Sequence, residues 1–183
     1  MEGGKEVIVG KTKSRGACDL VMRLLALSLT LAAAIILGVD KQTKIVSLVV
    51  SPSLPPLDFP ATAKWHYLSS FVFFVVSNAI ACAYAALSLL ISIANKGGNK
   101  GLGMFIVILD TLMVALLFSS IGAAGGIGLM GYQGNSHVQW KKVCNVFGKF
   151  CNQVAASLVL SLLGAIAFVL LVVVATFRLH KKK

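Results

Sequence analysis

The sequence predicts an all-α membrane protein: a four-transmembrane-helix bundle with cytosolic N- and C-termini and two extracellular loops. Three observations lead there. First, 57% of the 183 residues are hydrophobic and only 13% charged, too little polar surface to coat a soluble domain of this length. Second, four apolar runs, about 20–39, 68–93, 102–124 and 154–177, are each long enough to cross a hydrocarbon core of about 30 Å. No water is present in that core to take up backbone hydrogen bonds, so each run must satisfy its own and a helix is the default. Third, the basic residues are unevenly placed. Ten (Lys5, Lys11, Lys13, Arg15, Lys96, Lys100, Arg178 and Lys181 to Lys183) fall at the end that holds the termini, against six (Lys41, Lys44, Lys64, Lys141, Lys142, Lys149) at the other. An excess of Lys and Arg marks the cytosolic side.

The elements follow in order. Residues 1–18 are polar and aperiodic and read as an irregular cytosolic tail. The apolar run LTLAAAIILG resembles the core of a signal peptide, but the polar leader and the length of the run favour a retained helix. Cys18 stands at the cytosolic edge, where palmitoylation is compatible with its position and a plain thiol is the simpler state. The first outer loop contains a β-branched, strand-like segment, KIVSLVV, followed by SPSLPPLDFP, whose prolines are expected to interrupt regular structure. Trp65 and Tyr67 precede the second span at headgroup depth, as interfacial anchors do.

In the second span Asn78, Cys82 and Ala86 share one helix face, and Asn78 is expected to hydrogen-bond a neighbouring helix. The connection NKGGNKG is too short for anything but an antiparallel hairpin of spans two and three. The third run stays apolar or small through GAAGGIGLMG, so its helix must tilt, project, or stop in that cluster. Gly122 and Gly126 form a G-x-x-x-G pair for close helix packing, either within one subunit or between two. The domain plan is therefore a tail over 1–18, a membrane domain over 19–178 and a basic cytosolic tail over 179–183.

In the second outer loop, CNVFGKFC leaves two alternatives. Val143, Val146, Phe147 and Phe150 have helical spacing, yet a helix over seven residues spans about 10 Å, beyond the reach of a Cys144–Cys151 disulfide. Gly148 offers a turn and an oxidising compartment permits the bond, which favours the disulfide. Trp140, Phe147 and Phe150 are then the residues this loop would present to partners.

Function has little to build on besides two charges. Asp110 lies about 12 Å into the third span, where an unpaired carboxylate is costly. Arg23 is the basic residue inside a span, and the two share a leaflet. A buried Arg23–Asp110 pair is the first reading. The alternative has Arg23 snorkelling to headgroups beside Asp19, with Asp110 protonated and hydrogen-bonded, for example to a serine. Catalytic triads, paired catalytic carboxylates, phosphate loops, metal-ligand spacing and nucleic-acid signatures do not appear, so no enzyme, cofactor, metal or nucleic-acid role is expected.

The strings MRLLALSLTLAA, LGVDKQTKIV, SNAIACAYAALSLLIS, LDTLMVALLFSSIGAAGGIGLMG and WKKVCNVFGKFCNQ, with Arg in span one, Asp in span three and C-x6-C in the second loop, resemble subfamily 1 of the plant Casparian strip membrane domain (CASP)-like proteins. The resemblance implies a MARVEL-related multi-pass protein of the plasma membrane. It implies homo- and hetero-oligomers with related proteins, and a scaffold that organises wall-modifying enzymes among membrane lipids. The first loop, VSPSLPPLDFPATAKW, departs from the signature of the strip-forming members, so the scaffold class is implied and strip formation is not. The competing expectation is a channel or transporter subunit with Asp110 in an intramembrane polar path.

Overall fold

A computed structural model describes residues 3–48, 57–94, 100–134, 137 and 142–181. Helix α1 spans Gly3–Gly38 and leads into a hairpin of strands β1 (Lys41–Leu48) and β2 (Leu57–Lys64). A single 3₁₀ turn, Trp65–Tyr67, then enters α2 (Ser69–Ala94), followed by α3 (Lys100–Gln133) and α4 (Gly148–Lys181). All four prolines of the chain fall between positions 52 and 60, so every helix keeps an unbroken backbone ladder. Residues 18–38, 69–94, 101–133 and 148–178 are long and apolar enough to cross a membrane. The chain is a four-helix membrane bundle.

Helix α1 packs against α2 and α4, and α3 packs against the same two, so α1 and α3 stand diagonally across the bundle. Two apolar clusters fill the interior. One gathers Ala26, Ala81, Ala85, Leu117, Ala165 and Phe168; the other, toward the hairpin, gathers Ala33, Leu37, Phe71, Phe74, Phe150 and Val154. Alanines let the backbones approach, because lipid supplies no hydrophobic drive and contact must do the packing. Among the described glycines the tightest is Gly164, where a Cβ would stand 3.1 Å from Thr30 Cγ2 of α1. Large apolar side chains such as Leu24, Ile35, Phe105, Ile108 and Val159 face outward, while Arg23, Thr30, Asn78, Ser88 and Asp110 are buried. Polar inside and apolar outside is the arrangement a lipid solvent selects.

Several expectations change. Residues 3–18 continue helix α1, because elongating a helix already nucleated by the span adds a hydrogen bond per residue. The SPSLPPLDFP segment gives way to strand at Leu57, with Pro60 opposite Ile45. In a two-stranded sheet both strands are edges, where a missing N–H is tolerated. Pro52, Pro55 and Pro56 lie outside the described residues. Helix α3 runs straight through the glycine cluster for 34 residues and ends at Gly134. There φ is 72° and the N–H donates to Met130 O at 2.9 Å, an αL cap that glycine adopts without strain.

The helix faces are also corrected. Asn78 is fully buried but donates Nδ2 to Phe74 O of its own helix at 2.9 Å, and does not bond a neighbour. Gly122 and Gly126 are exposed and a Cβ on either would meet nothing within 4 Å, so neither packs against another helix of the same chain. Phe147 and Phe150 are buried, Phe150 tilted against Phe71 with ring centroids 6.0 Å apart, and do not face outward. Their helical spacing does mark one face, but that face closes the hairpin end of the core. Trp140 lies outside the described residues.

Candidate functional site

Asp110 is fully buried on α3, and both of its oxygens are engaged. Tyr84 of α2 donates its hydroxyl to Oδ1 at 2.7 Å, and Arg23 of α1 approaches Oδ2 with Nη2 at 3.4 Å. The guanidinium extends its fork to three partners at once. Its Nε donates to Asp19 Oδ2 at 3.2 Å, Nη1 to Ser88 Oγ at 2.8 Å, and Nη2 to Asp110. The Arg23–Asp110 contact of the first reading is present, and so is the Asp19 contact of the alternative, but Arg23 is buried and does not snorkel toward headgroups.

The cluster continues toward the terminal end of the bundle. Ser92 of α2 donates to Asp19 Oδ2 at 3.3 Å, and Arg178 of α4 holds Asp19 Oδ1 at 3.8 Å. Each of the four helices contributes: Asp19 and Arg23, then Tyr84, Ser88 and Ser92, then Asp110, then Arg178. Two guanidinium groups face two carboxylates, so the set is neutral as a whole, which is the condition for keeping charges in a low-dielectric interior. Because α1 and α3 are diagonal, the Arg23–Asp110 contact crosses the middle of the bundle and passes beside Tyr84 and Ser88 of the helix between them.

Sequence reasoning missed Tyr84, Ser88, Ser92 and Arg178. A signal existed: Ser77, Ala81, Ala85 and Ser88 recur at intervals of three and four and form the buried face of α2. The face suggested by the sequence, Asn78, Cys82 and Ala86, is rotated from it by one residue, about 100°.

The remaining candidates are distributed at the other end. Cys144 and Cys151 form a disulfide with Cα atoms 5.7 Å apart. Cys144 sits in a turn that docks on the end of α3, Val143 N and Cys144 N both donating to Gly131 O at 2.9 and 3.2 Å. Helix α4 begins only at Gly148, which removes the conflict between helix and bond. Trp65 is half-buried against the hairpin-end cluster, whereas Tyr67 is exposed. His66 stacks edge-on with both rings, and Lys64 Nζ lies 5.6 Å from the Tyr67 ring centroid. Among the described residues, no three His, Cys, Asp or Glu side chains converge as a metal site would require. The arrangement as a whole is built to lock helices together.

Comparison with known proteins agrees with this architecture. The Casparian strip membrane protein domain matches residues 12–167. The chain is 70% identical over 164 residues to CASP-like protein 1E2 of Vitis vinifera, covering 90% of this chain and 84% of the relative. It is 59% identical over 179 residues to CASP-like protein 1E1 of Glycine max, covering 97% and 95%. It is 53% identical over 180 residues to CASP-like protein 1E1 of Arabidopsis thaliana, covering 98% and 93%. No solved structure matches the chain. With four membrane-crossing helices, a charge cluster between them and this extent of identity, the chain belongs to the CASP-like family of multi-pass membrane proteins.

Proposed function

We propose that this protein is a non-enzymatic scaffold of the plasma membrane whose copies, alone or with related CASP-like proteins, associate side by side to form membrane domains that organise wall-modifying proteins. The observation that carries the reading is the outer face of α3. Gly122 and Gly126 open onto empty space there, and among the candidate spans that of α3 is the least covered by the rest of the chain. Small residues facing lipid leave a shallow strip into which a neighbouring helix backbone can fit. The charge cluster, about 18 Å back along α3, ties the four helices together and so supports the same face in every copy, as a repeating assembly requires.

In this reading the termini are cytosolic, following the excess of basic residues at that end. The hairpin and the Cys144–Cys151 loop are then extracellular, where a disulfide persists. Trp65, His66 and Tyr67 anchor that boundary among lipid headgroups. With Phe147 and Phe150 buried, the surface offered to wall proteins is the hairpin, where Lys44 and Ile45 are exposed. The channel reading needs Asp110 to face water; its carboxylate is enclosed by Arg23 and Tyr84.

Counting photobleaching steps of labelled protein in native membranes tests the reading. Wild type gives two or more steps per spot, and Gly122→Leu with Gly126→Leu gives single steps at unchanged expression, since both positions are exposed and an added Cβ meets nothing within 4 Å. Single-step spots for wild type would overturn it.

A further inference from the structure

Asp40 lies between the end of α1 and the start of the hairpin. Its N–H bonds Leu37 O at 3.1 Å, and its side chain turns inward until only 1% of the residue is exposed. Neither carboxylate oxygen has a hydrogen-bond partner. A buried, ionised carboxylate without partners is among the more unfavourable groups a fold can hold.

What surrounds it is a joint. Two residues further on, Gln42 Oε1 accepts from the backbone N–H of Phe150 at 2.9 Å, a polar tie between hairpin and α4. Phe150 belongs to the first turn of α4, whose N–H groups have no partner within the helix. Next to it Lys149 attracts Asp40 from the same turn. The other charged or titratable groups here are Lys41 on β1, Lys64 on β2, directly opposite it in the ladder, and His66 on the 3₁₀ turn; with Trp65 they line a recess that Asp40 shares.

We propose that the seat of the hairpin on α4 is a proton-controlled joint, closed when the Asp40 carboxyl is protonated and loosened when it ionises. Without a hydrogen-bond partner the neutral acid costs far less to bury than the carboxylate, which regains its hydration only by swinging out with β1, breaking the Gln42–Phe150 bond. Burial raises the carboxyl from 3.8 to about 6 in the closed joint, against the pull of Lys149. The closed form therefore binds more protons than the open one between those values, so closure weakens as pH rises through that interval and is constant above it. From the two values, opening becomes roughly 50-fold more favourable between pH 4 and pH 8.

The amide of Phe150 reports the joint directly. In full-length protein labelled with 15N-phenylalanine and held in lipid nanodiscs, its hydrogen-exchange protection factor is expected to fall by that ratio as pH rises, levelling off above pH 6. Asp40→Asn should hold protection at the acid-limit value at every pH. Lys149→Met removes the attraction that favours the ionised form inside, so the levelling should move to higher pH. His66→Gln should leave the profile unchanged. A flat wild-type profile, a transition that survives Asp40→Asn, or one that disappears in His66→Gln would overturn the proposal. If Asp40→Asn does not fold, Lys149→Met decides, and an unmoved transition would count against it.

Discussion

Tyr84 stands closer to Asp110 than Arg23 does, 2.7 Å against 3.4 Å. The carboxylate in the third span is thus held by two neighbours of different kinds: a phenol from the adjacent helix that fixes its orientation, and a guanidinium from the diagonal helix that balances its charge. The phenol also lies 3.1 Å from Ile106 O, one turn before Asp110 on α3, so it is shared between side chain and backbone. Tyr84→Phe removes a hydrogen bond to a charged group and nothing else of that size. It is expected to destabilise the bundle by about 1.5–3 kcal/mol. Thermal unfolding in detergent, followed through thiol labelling of half-buried Cys82, measures the loss. A variant that melts with wild type would show the 2.7 Å contact to be dispensable.

Arg23 and Asp110 are not equivalent partners. Arg23→Gln leaves Asp19 with Arg178, and Asp110 stranded in the interior with only the Tyr84 hydroxyl. Asp110→Asn leaves Arg23 still paired with Asp19 and still donating to Ser88. Breaking a buried pair from the side that strands the other charge costs about 3–5 kcal/mol. The arginine variant is therefore expected to lose surface expression and folded yield more severely than the aspartate variant. The double variant should be less unstable than the sum of the two singles. Fluorescence-detected size-exclusion profiles of the three variants check the order, and equal losses for the singles would contradict it.

Different parts of this architecture are legible in the sequence to different degrees. The four spans are readable because a long apolar run reports its solvent directly, whatever its neighbours are. Arg23 and Asp110 stand out for the same reason: charge within such a run is rare and must be accommodated. The hydroxyls that complete the cluster are not readable, since Ser88 and Tyr84 are ordinary residues in a membrane helix and gain their role only from the rotation of α2. Phe147 and Phe150 have the spacing of a helix face although α4 begins only at Gly148, and spacing does not say which side is inside. The hairpin is half visible: β1 announces itself by β-branched residues, whereas β2 is obscured by a proline that a two-stranded sheet can tolerate.

Glycines in spans three and four illustrate the same limit and yield a prediction. The G-x-x-x-G spacing draws attention to Gly122 and Gly126, yet the tight approach within the chain is at Gly164, where an added Cβ would come within 3.1 Å of Thr30 Cγ2. Gly164→Ala forces that methyl apart and is expected to cost about 1–3 kcal/mol through overpacking between α1 and α4. Thr30→Ser deletes Cγ2 while keeping a hydroxyl that can donate to Ala26 O, so Gly164→Ala combined with Thr30→Ser should recover most of the loss. Gly122→Ala, where the added methyl meets open space, should leave stability unchanged. Melting temperatures of the four proteins settle the comparison, and a Gly164→Ala variant as stable as wild type would remove the claim that this glycine sets the helix spacing.

The disulfide closes a short loop, with Cys144 and Cys151 at a sequence separation of 7. Loop-closure entropy for such a span is modest, roughly 2–3 kcal/mol if the unfolded chain is unconstrained. Its consequence is local, because the turn it ties bonds Gly131 O through Val143 N and Cys144 N. Those bonds hold the end of α3 to the start of α4 next to buried Phe147. Cys144→Ser with Cys151→Ser is therefore expected to leave the four spans assembled but to free this corner. Hydrogen exchange of the peptide covering residues 143–150 should rise, while that of the segment carrying Tyr84 and Ser88 stays as slow as in wild type. Reduction of the native protein should reproduce the pattern, and a rise spread evenly over all four helices would mean that the bond supports the whole bundle instead of its corner.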